Sequence, residues 1–413
     1  MARIRPFMAL RPPIHLAAKV ASLPYDVMDV EEARQMAAGS PDSFLHVSRP
    51  EIDLPPFVDP YDDLVHQQGR TNLVDFIKRR VLIQDPAPCY YIYRQRMGAV
   101  TQTGLVACSA VDDYQSGVIK KHEQTRADKE EDRVKHVNTL DANDEPVFYI
   151  FRTNPMVEEI LASAAYEQPD YHFVTADGVC HTLWVLPDQK VIDRLTALFA
   201  DIPRLYVADG HHRSAAASRV RDLRKAANPN HTGDEEYNYF LTVIFPESQL
   251  NIMPYNRVIK DLNGLTPQAF LERLAACFDT EPVAAAFAPE KRHRFGMYLT
   301  GQWYCLTPKT ELIDERDTVA RLDVSILQNN LLAPVLGIEN PRTDKRINFV
   351  GGIRGIEELV RLVDSGEYSV AFSLYPTSIT ELMELSDEDR IMPPKSTWFE
   401  PKLRSGLFVH LLS

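Results

Sequence analysis

The residues best placed to do chemistry lie in RLYVADGHHRSAAASRVRDLRK, residues 204–225. The apolar run ending at Asp209 predicts a strand, Gly210 a tight turn, and the Ala-rich stretch after it a helix. His211, His212 and Arg213 then fall in the first helical turn, where unpaired backbone N–H groups and the positive end of the helix dipole favour an anion. Helix starts prefer acids. Cations there cost about 0.3–1 kcal/mol per charge unless an anion or a neutral imidazole offsets them. Phosphate is the expected ligand. The alternative is that Asp209 merely caps the helix and the histidines are ordinary turn residues.

Two further stretches carry reactive residue types. In KKHEQTRADKEEDRVKHV, residues 120–137, Arg126, Lys129, Arg133 and His136 recur at three- and four-residue spacing. As a helix this gives a basic face, either binding a ligand or solvated and laced with weak ion pairs. Glu123, beside Lys121 and His122, is the carboxylate positioned to act as a general base. In IMPPKSTWFEPKLRSGL, residues 391–407, Pro393 and Pro394 forbid helix, and Lys395, Ser396 and Thr397 offer an ammonium and two hydroxyls suited to phosphate oxygens. No Walker spacing precedes them, so an exposed turn is the alternative. Pro24-Tyr25-Asp26 and SFLHVSRPE (43–51) have reactive types without diagnostic spacing.

These segments need a scaffold, and 413 residues suffice for two to three domains. Strands are expected at 89–94, 104–111, 146–151, 181–186, 204–207 and 239–245, and helices at 27–38, 61–80 and 188–199. Beyond these, helices are expected at 267–278, 319–332 and 355–364, and strands at 295–299, 303–306, 347–350 and 369–374. The pattern predicts an α/β or α+β chain of two lobes, 1–262 and 263–413, parting near DLNGLTP (261–267). Lys and Arg number 45 against 58 Asp and Glu, a net charge of −13 that does not draw the chain to nucleic acid or anionic lipid. No apolar run approaches the ~20 residues of a membrane span. The start lacks a continuous apolar signal region, so the chain is read as cytoplasmic. The five cysteines are scattered without C-x-x-C, so reduced thiols are expected.

Taken together, SLPYDV, SFLHVSRPE, IKKHEQTR, ADGHHR, PYNRV and MPPKSTWFEPKLRSGL resemble the DUF1015 family across essentially the whole chain. The order of His122-Glu123-Gln124, Asp209-Gly210-His211-His212-Arg213 and Pro394-Lys395-Ser396-Thr397 also resembles the free-serine kinases of ParB/sulfiredoxin-like fold. That resemblance implies a ParB/sulfiredoxin-like phosphate-binding lobe with an N-terminal extension and an insertion around 141–199, and a C-terminal α/β lobe closing the cleft. It implies a Mg²⁺-dependent phosphotransferase interconverting serine and O-phosphoserine. The donor would be ADP, ATP or pyrophosphate, or AMP or ADP the acceptor in reverse, and the family leaves room for a homodimer.

By the same resemblance Glu123 is the base, and His211 or His212 lies near the leaving oxygen. Asp209 holds the metal, while Gly210, Arg213, Arg126, Lys395, Ser396 and Thr397 bind phosphate or nucleotide. The rivals are a sensor that binds nucleotide or phosphoserine without turnover, and a phosphatase-like enzyme consuming phosphoserine. A ParB-like DNA binder conflicts with the charge. A sulfinic reductase conflicts with His211 standing where that chemistry needs cysteine.

Overall fold

The computed structural model describes residues 1–413 and divides into two compact units, Met1–Leu250 with Pro401–Ser413, and Asn251–Glu400. In the first unit, β1 (Ile4–Arg5) is followed by helices α1 (Val30–Ala37) and α2 (Asp63–Lys78). Strands β2 (Tyr90–Met97), β3 (Val100–Ala110) and β4 (Ile119–Lys120) lead to α3 (Ala127–Leu140) and β5 (Val147–Phe151). Then come β6 (Tyr171–Val174), β7 (Cys180–Leu186), α4 (Gln189–Ala200), β8 (Leu205–Asp209), α5 (His211–Ala227) and β9 (Tyr239–Pro246). The nine strands make one mixed sheet in the order β4-β8-β5-β9-β3-β2-β7-β6, with β1 paired to β3.

β5 is buried along its whole length and β9 from Phe240 on, and the two run parallel, side by side, in the middle of the sheet. That location explains their unbroken VFYIF and YFLTVIF runs, since a strand covered on both faces has no position for polar alternation. One face of the sheet packs Tyr149, Phe151, Phe199 and Phe240 into the main core, where truncating such a ring to alanine costs about 3–5 kcal/mol. The closing segment belongs to this unit: Gln95 and Gln102 donate to the carbonyls of Lys402 and Pro401 at 2.7 and 3.1 Å. Ser22 and Ser405 bridge as extended backbone nearby.

The second unit begins with β10 (Asn251–Met253) and β11 (Tyr255–Ile259), so the division falls ahead of DLNGLTP, because β11 is hydrogen-bonded into the second sheet. It continues through β12 (Phe278–Val283), β13 (Phe295–Leu299), β14 (Gln302–Pro308), β15 (Ile347–Gly351), β16 (Val370–Leu374) and β17 (Trp398–Glu400). The six-stranded sheet has the order β12-β14-β13-β16-β11-β15, and β10 pairs separately with β17. Both units mix helices with sheets, as expected from the sequence, and the sheets are largely antiparallel. The helix expected at 319–332 is shorter: α-helix covers Asp323–Leu327 and a π-helical turn Gln328–Leu332. No helix is long and apolar enough to cross a membrane.

Candidate functional site

β8 ends at Asp209 and α5 starts at His211, with Gly210 between them at φ +94°. A Cβ at Gly210 would lie 3.1 Å from the Arg213 guanidinium carbon and 3.2 Å from Val147, so the left-handed backbone and the close packing both require glycine. Gly210 is therefore the cap, and Asp209 is left at the strand end to do something else. Its carboxylate lies 3.6 Å from Arg213 Nη2 and 3.4 Å from Lys402 Nζ. Lys402, in the PKLRSGL segment, is a cation beside this turn that sequence reasoning did not single out. Its only signal was membership of a recurring phrase.

β4 pairs in parallel with β8, which carries the residues after Lys120 toward the turn after Asp209. The rings of His122 and His211 meet edge to face at 4.4 Å. His212 Nε2 accepts the backbone N–H of Arg126 at 3.0 Å, so that nitrogen is unprotonated and the ring's proton sits on Nδ1. The HEQ and DGHHR segments are thus brought together. Burial pushes His122 and His211 down to about 3, aided at His122 by the His211 ring and at His211 by His212, Lys121 and Arg213. Both are neutral at pH 7, which relieves the cost of placing histidines at a helix start. A neutral His211 holds no spare proton for a leaving oxygen. Glu123, next to buried His122, is half-buried, and Lys121 is exposed with its ammonium 4.2 Å from the Tyr114 ring centroid.

The charged run does not form the expected basic face. Helix α3 begins only at Ala127, after Arg126 as its N-cap, and Arg126 is exposed and paired with Asp128 at 2.7 Å. Arg133 and His136 point inward. Arg133 pairs with Asp132 at 2.8 Å and lies 4.2 Å from the Tyr25 ring centroid, while His136 pairs with Asp144 at 3.0 Å. This buried layer absorbs the two early phrases. Arg49 donates to the carbonyls of Tyr25 and Met28, and Glu145 accepts from the Tyr25 N–H and the Ser405 hydroxyl at 2.9 and 2.8 Å. Burial raises Glu145 above the usual carboxylate range, opposed by nearby Arg213. Arg213 itself is buried, donates to the Pro146 carbonyl, and is held charged by Asp26, Asp209 and Glu145 against the cost of desolvation.

In the second unit, Lys395 occupies a left-handed backbone conformation, φ +57°, and its ammonium lies 5.6 Å from the Tyr255 ring centroid. The Ser396 hydroxyl donates to the Pro393 carbonyl at 2.6 Å, and Thr377 donates to the Ser396 carbonyl at 3.1 Å. The hydroxyl of Ser396 therefore fastens its own turn, and Thr397 is half-buried beside it.

No group of three or more His, Cys, Asp or Glu side chains is gathered to hold a metal ion. Mg²⁺ usually takes one or two protein carboxylates and completes its shell with phosphate oxygens and water, and Asp209, facing Arg213 and Lys402, is the carboxylate this turn offers.

No curated protein matches the chain. Among solved structures it is distantly similar to a conserved hypothetical protein from Pyrococcus furiosus, at 16% identity over 75% of this chain and 95% of that one, with a TM-score of 0.36. A free serine kinase in complex with AMP shares 15% identity over 74% of this chain and 91% of that one, with a TM-score of 0.36. SbnI with a C-terminal truncation, from Staphylococcus aureus, shares 12% over 74% and 87%, with a TM-score of 0.39. The family model described as "Protein of unknown function (DUF1015)" matches residues 4–325, and the chain belongs to that family.

Proposed function

We propose that the protein is a phosphotransferase interconverting free serine and O-phosphoserine, with a nucleotide or pyrophosphate as partner and Mg²⁺ as cofactor. The observation that carries this reading is the meeting of two motif segments at one turn. His122 of the HEQ segment meets His211 at the start of the glycine-capped helix, so Glu123 follows directly on a residue in contact with that turn, whose flanking cations are Lys402 and Arg213. Phosphoryl transfer asks the protein for positioning, positive charge around the equatorial oxygens, and a group to take the attacking hydroxyl's proton.

In the synthetic direction the serine Oγ attacks the terminal phosphorus of the donor, its proton passes to Glu123, and the bridging P–O bond breaks to release the shortened donor. The helix-start amides from Gly210 onward and Lys402 hold the transferred group. Arg213 anchors the turn from behind, and Asp209 would hold Mg²⁺, which when bound would offset phosphate charge. The neutral His211 and His212 shape the pocket and exclude water, so that serine rather than water is the acceptor. Phosphorus NMR of the protein with serine and ADP, ATP or pyrophosphate, and with phosphoserine and AMP or ADP, tests the reading and gives its direction.

A further inference from the structure

The first unit contains a cavity of about 830 Å³, walled by residues within 18–23, 36–45 and 174–177 together with buried Arg404. Ligand pockets run from ~300 to ~1,000 Å³, so this one has room for a small organic molecule. Its wall is built rather than accidental. Ser22 and Ser405 exchange backbone hydrogen bonds at 3.2 and 3.0 Å, and the Phe44 N–H donates to the Val20 carbonyl at 3.0 Å. Gly406 packs so closely beneath that a Cβ there would meet Phe44 at 2.5 Å. Ser22 and Ser43, which open SLPYDV and SFLHVSRPE, both line the cavity, whereas Tyr25 and Arg49 of the same phrases serve the buried layer described above. None of the residues assigned to phosphoryl transfer lines it.

The lining chemistry selects a ligand class. Ala21, Leu23, Pro41 and Leu45 contribute apolar surface, and Met36 at the end of α1 and Val174 at the end of β6 remain 49% and 59% exposed. Both acids of the wall already have a cation: Asp42 pairs with Arg79 at 2.7 Å, and Asp177 pairs with Arg404. Lys19 is the exposed cation of the wall that forms no ion pair, so the cavity's unmatched charge is a single positive one. Three residues on, Ser22 is 6% exposed and its hydroxyl has no hydrogen-bond partner. A buried hydroxyl left unpaired carries its full desolvation cost, which an arriving acceptor relieves.

We propose that this cavity binds an organic acid with an apolar body and one carboxylate. The body lies on the apolar wall, the Lys19 ammonium offsets the charge, and the Ser22 hydroxyl donates to a carboxylate oxygen. The proposal is independent of the phosphotransferase reading.

Calorimetric titration of the full-length chain with octanoate, 1-octanol and octylamine tests it, the three sharing a body and differing in the head group. Octanoate is expected to bind at least ~10-fold more tightly than octanol, the scale of a charge-assisted hydrogen bond, and octylamine more weakly than either. Lys19→Glu, at an exposed position, should weaken octanoate by ~10-fold or more and leave octanol within a few-fold. Ser22→Ala removes the unpaired hydroxyl, so it should weaken octanoate while the ligand-free melting temperature stays level or rises. Ala176→Trp, on the exposed turn between β6 and β7, fills the cavity and should abolish binding of both octanoate and octanol. No octanoate binding by the wild type, octylamine bound as tightly as octanoate, or wild-type octanoate affinity in Lys19→Glu, Ser22→Ala or Ala176→Trp would overturn the site.

Discussion

The turn after β8 and the loop before β17 both gather cations, but they balance them in opposite ways. In the first, Arg213 faces Asp209 and lies in the field of Glu145 and Asp26, and Asp209 is shared with Lys402. In the second, Arg257 faces carbonyl oxygens and an aromatic ring. A charge-balanced turn holds its geometry before any ligand arrives. A buried guanidinium held only by carbonyl dipoles and a ring carries a desolvation cost that no counter-charge offsets. The two regions teach that resident carboxylates, more than the number of cations, decide how a buried arginine is balanced.

The largest expected effect sets these two arginines against each other. Arg213→Met leaves Asp209 and Glu145 without their shared cation and should cost about 3–5 kcal/mol in urea denaturation. Arg257→Met removes a cation that faces no carboxylate together with its bonds to the carbonyls of Tyr255 and Lys395, and should cost less, about 1–3 kcal/mol. Equal losses for both would break the comparison. Next in size is Glu123→Gln, expected to lower turnover by ~10²-fold or more while leaving nucleotide affinity within a few-fold, as single-turnover assay and titration would show.

A smaller effect follows from the neutral rings at the first turn. His122 and His211 have folded values of about 3 against an ordinary 6.5, so between those limits the unfolded chain binds protons that the folded chain refuses. Stability from this source is intact above about pH 6.5 and falls as pH drops below it, at up to ~1.4 kcal/mol per pH unit for each ring. Glu145 works in the opposite sense, since its raised folded value makes the folded state bind the proton first. Measured from pH 6 to 4, unfolding free energy in His211→Gln should depend on pH with a slope about one proton smaller than wild type; an identical slope contradicts the burial argument. The smallest effect is expected at Arg126→Ala, which removes an exposed pair with Asp128 and should change stability by less than about 0.5 kcal/mol. It should lower nucleotide affinity only if Arg126 itself reaches the ligand.

Much of the fold was legible where burial is two-sided or a helix carries its own caps. The run at 239–245 became β9, and the helix expected at 61–80 became Asp63–Lys78, started by the Asp62 side chain on the Leu64 N–H. The strand-turn-helix around Gly210 was readable because glycine and the Ala-rich segment impose it locally. The run at 120–137 misled because its spacing is helical but its partners are distant: Asp144 draws His136 inward, Tyr25 draws Arg133, and pairing with β8 keeps Lys120 extended. The bonds from Gln95 and Gln102 to the closing segment, which accompany the ion pair of Lys402 with Asp209, span some 300 residues of chain and leave no local pattern. The charge imbalance at Arg257 was invisible for the same reason, since PYNRV shows an arginine but not the absence of an acid around it.

The central claim is transfer of a phosphoryl group to serine, and phosphorus NMR reads it directly. With serine, Mg²⁺ and each of ADP, ATP and pyrophosphate, the account predicts a growing phosphomonoester signal matching O-phosphoserine with at least one donor, matched by loss of the donor's terminal phosphate and suppressed in Glu123→Gln. Spectra unchanged in every mixture, including phosphoserine with AMP or ADP, while calorimetry still registers nucleotide binding, would contradict it and leave the protein a phosphate-binding sensor.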